Sequence, residues 1–321
     1  MKKVLLATAV AAMAFTSCSQ NEEFEAQGTN NEIKIGTMVK KSPRAVVTDD
    51  ETFKSFTLSS FIVDKDQIYS EKGLGDAYMD GVSYTGIKGN WTNTGVNYYW
   101  PIGKNVQFFG YSGGTNFMVN DTGYPTLSFS IKGTSSEQED LVVAAMNTEK
   151  PADDNAKVLL EFKHILTKIN FSYKPEADYT YEITKLKING VKGGNATYTF
   201  NADPLQGTWT NGSSDEAYEY PITTEGANVS EGYYPLDSKD GSLMLLPQSF
   251  AAETVSIQIT YTAKRGAYSY TATDKIIKIP ATTWKIGQSV RYKLALPAGE
   301  GVISVETEVL KNWETETSST L

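Results

Sequence analysis

The stretch Val158-Leu159-Leu160-Glu161-Phe162-Lys163-His164-Ile165-Leu166-Thr167-Lys168-Ile169-Asn170-Phe171-Ser172-Tyr173 changes phase in its middle. Its inward set falls first on even positions (Leu160, Phe162, His164, Leu166) and then on odd ones (Ile165, Thr167, Ile169, Phe171, Tyr173). Strand side chains alternate between faces with a period of two, so this run reads as β structure and not helix. A change of phase within it implies either a bulge or a strand that presents opposite faces to two sheets.

The same period recurs on both sides. Upstream, strands are expected at Glu32 to Val39, Phe53 to Val63, Val82 to Ile87, Trp91 to Trp100, Val106 to Tyr111 and Leu127 to Ile131. Leu141 to Ala145 is a continuous apolar run, too short for a helix and suited to a strand buried on both faces. Downstream they are expected at Glu182 to Ile188, Thr197 to Phe200, Ser242 to Leu246, Val255 to Ala263, Tyr268 to Ile279, Ser289 to Leu296 and Val302 to Leu310. Lys264-Arg265-Gly266-Ala267 is a hairpin turn, and Pro101 ends one strand and starts a turn. No segment makes a convincing amphipathic helix, and 19 tyrosines and 26 glycines suit strands and turns. The fold class is all-β.

Length favours two domains, because a mature chain of about 300 residues exceeds what one core usually organises. The polar stretch from Thr148 to Asn155, with Pro151 at its centre, reads as the linker. It divides an N-terminal β-sandwich at residues 32–150 from a C-terminal one at 156–321.

The first residues have another use. Lys2 and Lys3 precede an apolar stretch from Val4 to Phe15, and Thr16-Ser17 lead into Cys18, the order of a secretory signal peptide over residues 1–17. Cys18 is the only cysteine and has no disulfide partner, so its thiol reads as a lipid attachment point. Residues 18–31 read as a flexible tether. Of 29 basic and 38 acidic side chains, two lysines lie in residues 1–17, so the mature chain carries 27 against 38 and a net charge of −11. Such a surface repels nucleic acid and anionic headgroups. No later stretch is long and apolar enough for a membrane-spanning helix, which leaves lipid as the expected contact with a membrane.

The inventory argues against an enzyme. His164 is the only histidine, and its register with Phe162 and Leu166 places it inward, donating a ring hydrogen to a backbone carbonyl. There is no G-x-S-x-G elbow, an acylated Cys18 is no nucleophile, and zinc would need a His or Cys cluster. Carboxylates are plentiful, but no spacing singles out a glycosidase pair. Asp64-Lys65-Asp66 and Asp237-Ser238-Lys239-Asp240-Gly241 lack the spacing of a calcium loop and read as polar turns. No catalytic residue, metal or cofactor is expected.

Several separated segments together resemble the fimbrillin family of Bacteroidetes pilus subunits. Phe15-Thr16-Ser17-Cys18 resembles a lipobox, and Ser19-Gln20-Asn21-Glu22-Glu23 resembles the acidic tag of surface lipoproteins. Tyr98-Tyr99-Trp100-Pro101, Val106-Gln107-Phe108-Phe109-Gly110-Tyr111 and Asp140-Leu141-Val142-Val143-Ala144 follow in the family's order. Leu160-Glu161-Phe162-Lys163-His164, Lys168-Ile169-Asn170-Phe171, Leu245-Leu246-Pro247-Gln248 and Trp284-Lys285-Ile286-Gly287-Gln288 continue it. The resemblance implies two tandem transthyretin-like β-sandwiches and a surface-exposed subunit of a fimbria, anchored by lipid in the cell outer membrane before maturation. It implies other fimbrial subunits as partners, joined by a strand of one chain inserted into a groove of the next. It also implies removal of an N-terminal strand by an arginine-specific protease. Ser42-Pro43-Arg44-Ala45 follows the Glu32 to Val39 strand, so the cut is expected between Arg44 and Ala45.

Two readings stay open at this stage. Val302 to Trp313, after Pro297-Ala298-Gly299-Glu300-Gly301, alternates Ile303, Val305, Thr307 and Val309, and is either a donor strand or the last strand of its own sandwich. The chain itself is either a structural or accessory fimbrial subunit, with or without an adhesin role toward host or bacterial surface glycans or proteins, or a monomeric glycan-binding lipoprotein. The second would use Trp91, Trp209 or Trp284 as a stacking platform.

Overall fold

A computed structural model describes residues 31–39, 49–87, 89–93, 95–212, 214–220, 222, 232–236 and 242–310. Regular structure there is strand, apart from 3-10 turns at Ser135–Glu137 and Pro204–Gln206. In chain order the strands are Ile35–Val39 (β1), Ser55–Val63 (β2), Ala77–Ile87 (β3), Asn90–Asn93 (β4), Asn105–Ser112 (β5), Thr115–Met118 (β6), Thr126–Ser130 (β7), Val142–Thr148 (β8) and Val158–His164 (β9). Then come Thr167–Lys174 (β10), Thr180–Lys192 (β11), Asn195–Thr199 (β12), Thr208–Thr210 (β13), Asp215–Glu219 (β14), Tyr234–Pro235 (β15), Leu243–Leu245 (β16) and Gln248–Phe250 (β17). Ser256–Arg265 (β18), Tyr268–Lys278 (β19), Thr282–Trp284 (β20), Ser289–Ala295 (β21) and Ser304–Leu310 (β22) complete the set. The fold is all-β.

The phase change at Val158–Tyr173 marks a crossing between sheets. β9 belongs to a seven-stranded sheet of order β1-β9-β8-β5-β2-β3-β4, whereas β10 belongs to a sheet of order β15-β10-β21-β22 with β16 also on β10. Ile165 and Leu166, both fully buried, make the passage between them. Leaving one sheet and entering the next reverses which parity of residue faces the core, so the alternation slips by one.

The stretch 148–155, expected as the linker between sandwiches, joins β8 to β9 within one sheet, where Val142 and Val143 pair with His164 and Lys163. Strand β9, expected in the second half, also pairs with β1 from the first. A further sheet of order β13-β12-β7-β6 mixes strands from both halves. Polar composition finds solvent-exposed turns, and a turn between neighbouring strands has the same composition as a linker.

Two cores result. The larger lies between the β14-β11-β18-β19 sheet, through Leu186, Ile188, Ile257 and Ile259, and the β10–β21 sheet, through Ile169, Phe171, Tyr292 and Leu294. It extends through Leu127, Phe129 and Tyr198 to one face of the seven-stranded sheet, at Phe109, Leu141 and Val143. The smaller core covers that sheet's other face, at Phe56, Phe108, Val142, Ala144 and Phe162. β8 is therefore apolar at successive positions because both its faces are buried.

Candidate assembly site

The smaller core is closed by the N-terminal segment. β1 runs parallel to β9, with Ile35 opposite Val158 and Val39 opposite Phe162. Its odd residues point inward: Ile33 and Ile35 are 6% exposed and Val39 is 1% exposed. They join Phe53, Trp100, Leu160 and Phe162 in one cluster. Burying three β-branched side chains of this size is worth about 1.5–3 kcal/mol each relative to exposure.

The polar bonds holding the segment come from both sides. Ile33 N–H donates to the Tyr98 carbonyl at 2.8 Å, and Trp100 N–H to the Asn31 carbonyl at 3.0 Å. Val158 N–H donates to the Lys34 carbonyl at 2.8 Å, and Val39 N–H to Asp50 Oδ1 at 2.9 Å. Across the seam, Trp91 Nε1 on β4 donates to Thr37 Oγ1 at 2.9 Å. The first and last strands of the seven-stranded order thus meet, and β1 fills the seam between β9 and β4.

Beside that seam is a surface hollow of about 590 Å³ lined by Glu32, Ile35, Tyr84, Trp91, Asn93 and Lys157. Trp91 is half-buried, its ring edge-on to Phe53 and Phe56 at 5.3 and 5.0 Å. The other two candidate platforms are used in packing. Trp284 is 1% exposed and donates to the Tyr292 hydroxyl at 3.0 Å. Trp209 is half-buried, donates to the Ile165 carbonyl at 3.0 Å, and packs against Tyr198 and Phe129.

At the other end of the chain, β22 is the outer strand of its sheet, antiparallel to β21 with Ser304 opposite Ala295 and Leu310 opposite Ser289. Residues opposed in an antiparallel pair share a face. Val305, Thr307 and Val309 therefore continue the face of Leu294, Tyr292 and Val290, yet Val309 is 58% exposed while Val290 is buried. The strand overhangs its own core.

The linker before it is pinned by three tyrosines from one sheet. Tyr181 on β11, Tyr261 on β18 and Tyr268 on β19 donate to the successive carbonyls of Leu296, Pro297 and Ala298, at 2.8, 2.7 and 3.1 Å. Burial pushes the Tyr181 hydroxyl up to about 12 and raises that of Tyr261 as well, so both donate as neutral phenols. The pinned section ends where Gly299-Glu300-Gly301 begins, and Val302 beyond it is 92% exposed. Sequence patterning does not reveal this clamp, because a tyrosine on a strand reads only as an amphipathic core residue.

His164 packs inward as its register indicates, and one of its partners is a carboxylate. Nδ1 lies 2.8 Å from Asp140 Oδ2, and both side chains are buried. A lone aspartate before an apolar strand gave no sign of this pairing. Asp64 is engaged by Lys104 and Lys72, which hold its carboxyl down at about 2. Among the described residues no group of three or more His, Cys, Asp or Glu could hold a metal ion. Nor is any helix among them long and apolar enough to cross a membrane. Cys18, Arg44, Ala45, the loop from Asp237 to Gly241 and the end of the C-terminal stretch at Trp313 lie outside the described residues.

Comparison with known proteins agrees with the resemblance drawn from the motifs. The model of the fimbrillin-like family matches residues 44–313, and the chain belongs to that family. A fimbrial protein from Bacteroides vulgatus has a similar structure, with a TM-score of 0.67 at 22% identity over 88% of this chain and 100% of the other. A candidate cell adhesion protein from Bacteroides uniformis is similar at a TM-score of 0.53 and 14% identity, over 90% of this chain and 100% of that one. A comparison with curated proteins returned no match.

Proposed function

We propose that this chain is a subunit of a cell-surface fimbria, exported as a lipoprotein through Cys18 and assembled by strand exchange. The observation that carries the reading is β1. It is a short terminal strand whose buried side chains fill a seam that another strand could fill. In this scheme cleavage between Arg44 and Ala45 detaches both lipid anchor and β1, and the emptied seam accepts a strand from a neighbouring subunit. The reading includes the two sandwiches that the family resemblance implies, and an adhesin role would use surfaces outside the seam.

The test treats purified precursor with an arginine-specific protease and sequences the new terminus. A start at Ala45 together with heat-resistant ladders on a mild detergent gel supports the scheme. Resistance at Arg44, or a monomer after cleavage, contradicts it. In cells, Cys18→Ala should move the protein out of the membrane fraction, whereas full retention there contradicts lipidation.

A further inference from the structure

The hollow beside the seam is built from two parts of the chain that the seam brings together. Glu32 and Ile35 come from the N-terminal segment, and Asn90, Trp91 and Asn97 from β4 and the turn after it. Its volume of about 590 Å³ lies in the range of small-molecule sites. We propose that this hollow binds one neutral sugar residue of a glycan, stacked on Trp91 and hydrogen-bonded by Glu32, Asn90, Asn97 and the open edge of β1. The site stands apart from strand exchange and does not depend on it.

The lining presents the two kinds of surface that a pyranose needs. The C–H bonds of a pyranose carry a slight positive charge and settle on the negative face of an aromatic ring. Trp91 is a rigid platform for them, because its indole N–H donates to Thr37 Oγ1 at 2.9 Å and the rings of Phe53 and Phe56 back it. Sugar hydroxyls both donate and accept, so they need both kinds of partner. Asn90 and Asn97, both exposed, supply amide donors and acceptors, and the Glu32 carboxylate accepts. β1 adds a peptide group. Val158 N–H donates to the Lys34 carbonyl, so even-numbered residues of β1 bond toward β9 and odd-numbered ones turn the other way. On that side Ile33 N–H meets the Tyr98 carbonyl and Val39 N–H meets Asp50. Between these two anchors the N–H and C=O of Ile35 point into the hollow, on the side where β1 ends its sheet order.

Charge selects against ionic ligands. The Lys157 ammonium donates to the Gly89 carbonyl at 2.8 Å, and that of Lys34 to Asn155 Oδ1 at 3.3 Å. Both cations at the rim are thus engaged by protein oxygens, while Glu32 repels a ligand carboxylate such as that of a uronic acid. Asn93 is likewise spent on its own turn, with Nδ2 on the Val96 carbonyl and Oδ1 accepting from Gly95 N–H. An extended peptide finds only the short stretch of β1 edge between Ile33 and Val39, closed at both ends by their bonds. A compact ligand fits that gap better. Because Glu32 and Ile35 lie on the N-terminal segment and Trp91 on β4, a bound sugar joins the two and opposes opening of the segment.

Calorimetric titration of the full chain with the methyl glycosides of glucose, galactose, mannose and N-acetylglucosamine tests this. At least one should bind with a Kd of about 1 mM, the strength open to a ligand of roughly a dozen heavy atoms. Asn97→Ala and Asn90→Ala, at exposed positions where folding is spared, should each weaken it about tenfold, the effect of roughly one hydrogen bond. Methyl glucuronide should bind more weakly than methyl glucoside, and Glu32→Gln should narrow that difference. With glycoside at about ten times its Kd, hydrogen exchange at the Ile35 amide should slow about tenfold, because the segment is held in place. No binding of any of these glycosides, or binding that neither asparagine variant weakens, overturns the proposal. Exchange at Ile35 that a bound glycoside leaves unchanged overturns the part given to β1. Uptake of acetyl-trialanine amide in place of every sugar overturns the ligand class and makes the hollow a peptide slot.

Discussion

Gly110 shows how closely single atoms are fitted in the smaller core. A Cβ built on it meets Phe162 Cζ at 2.8 Å, and that ring is held by Phe53 and Phe56 with centroids 4.8 and 5.2 Å away. The ring has nowhere to move without disturbing the wall of the seam. Gly110→Ala should therefore destabilise the protein by about 1–3 kcal/mol, the usual effect of overpacking. Chemical denaturation reads this, and a midpoint equal to that of the unaltered protein would contradict the geometry. His164 is the polar counterpart. Replacing it with Ala removes a bond from a buried carboxylate and leaves a void at the sheet crossing, a loss of about 1–3 kcal/mol. For a chain this long that lowers the melting temperature by several degrees. An unchanged melting curve would mean that the His164–Asp140 pair is not formed in solution.

At the scale of elements, the segment 31–39 is held by scattered bonds and by three apolar side chains, with β9 alone as its extended pairing partner. Its removal should expose Leu160, Phe162, Trp100 and Phe53, which are buried while it is present. Dye that reports exposed apolar surface should therefore brighten several-fold when the cleaved segment is washed away. It should dim again when a strand is supplied; brightness unaltered by removal would show that the seam collapses by itself. Much of this was legible in the sequence, since alternation located β2, β5, β8, β18, β19 and β21 to within a few residues. The short strands β13, β14, β15, β17 and β20 were not, because two to five half-exposed residues carry too little periodicity to separate from a turn. The connection 148–155 is ambiguous for a related reason: its one proline and its charges suit a turn between neighbouring strands as well as a linker, whereas the phase slip at Ile165–Leu166 stood in plain view. Trp91 was marked as an aromatic, yet its contact with Thr37 spans 54 residues, and no local pattern encodes such a pairing.

For the whole molecule, stability rests heavily on tyrosine. Burial pushes Tyr69, Tyr84 and Tyr181 up to about 12 and raises Tyr198, Tyr261 and Tyr292 as well. In the unfolded chain these phenols ionise near pH 10, about the ordinary tyrosine value, whereas in the folded chain they stay protonated. Their contribution is therefore complete below about pH 10 and declines as pH rises from there toward 12 and beyond. Melting temperature should fall steadily above about pH 10, with part of the phenolate absorbance appearing only on unfolding; a single titration step near the ordinary value would contradict the burial of these groups. The most direct test of strand exchange joins two points that one copy keeps in separate sheets, Glu161 on β9 and Glu308 on β22. Adjacent strands lie about 4.8 Å apart, within the reach of a disulfide, and if β22 of a second copy takes the place of β1 with Thr307 at the position of Thr37, Glu308 stands beside Glu161. Chain carrying Glu161→Cys, Glu308→Cys and Cys18→Ala, cleaved at 44–45 and oxidised, should yield a covalent ladder on a denaturing gel that collapses to monomer on reduction. Covalent monomer alone, from a preparation that still assembles, would contradict that alignment, and a preparation that neither assembles nor cross-links would contradict strand exchange itself.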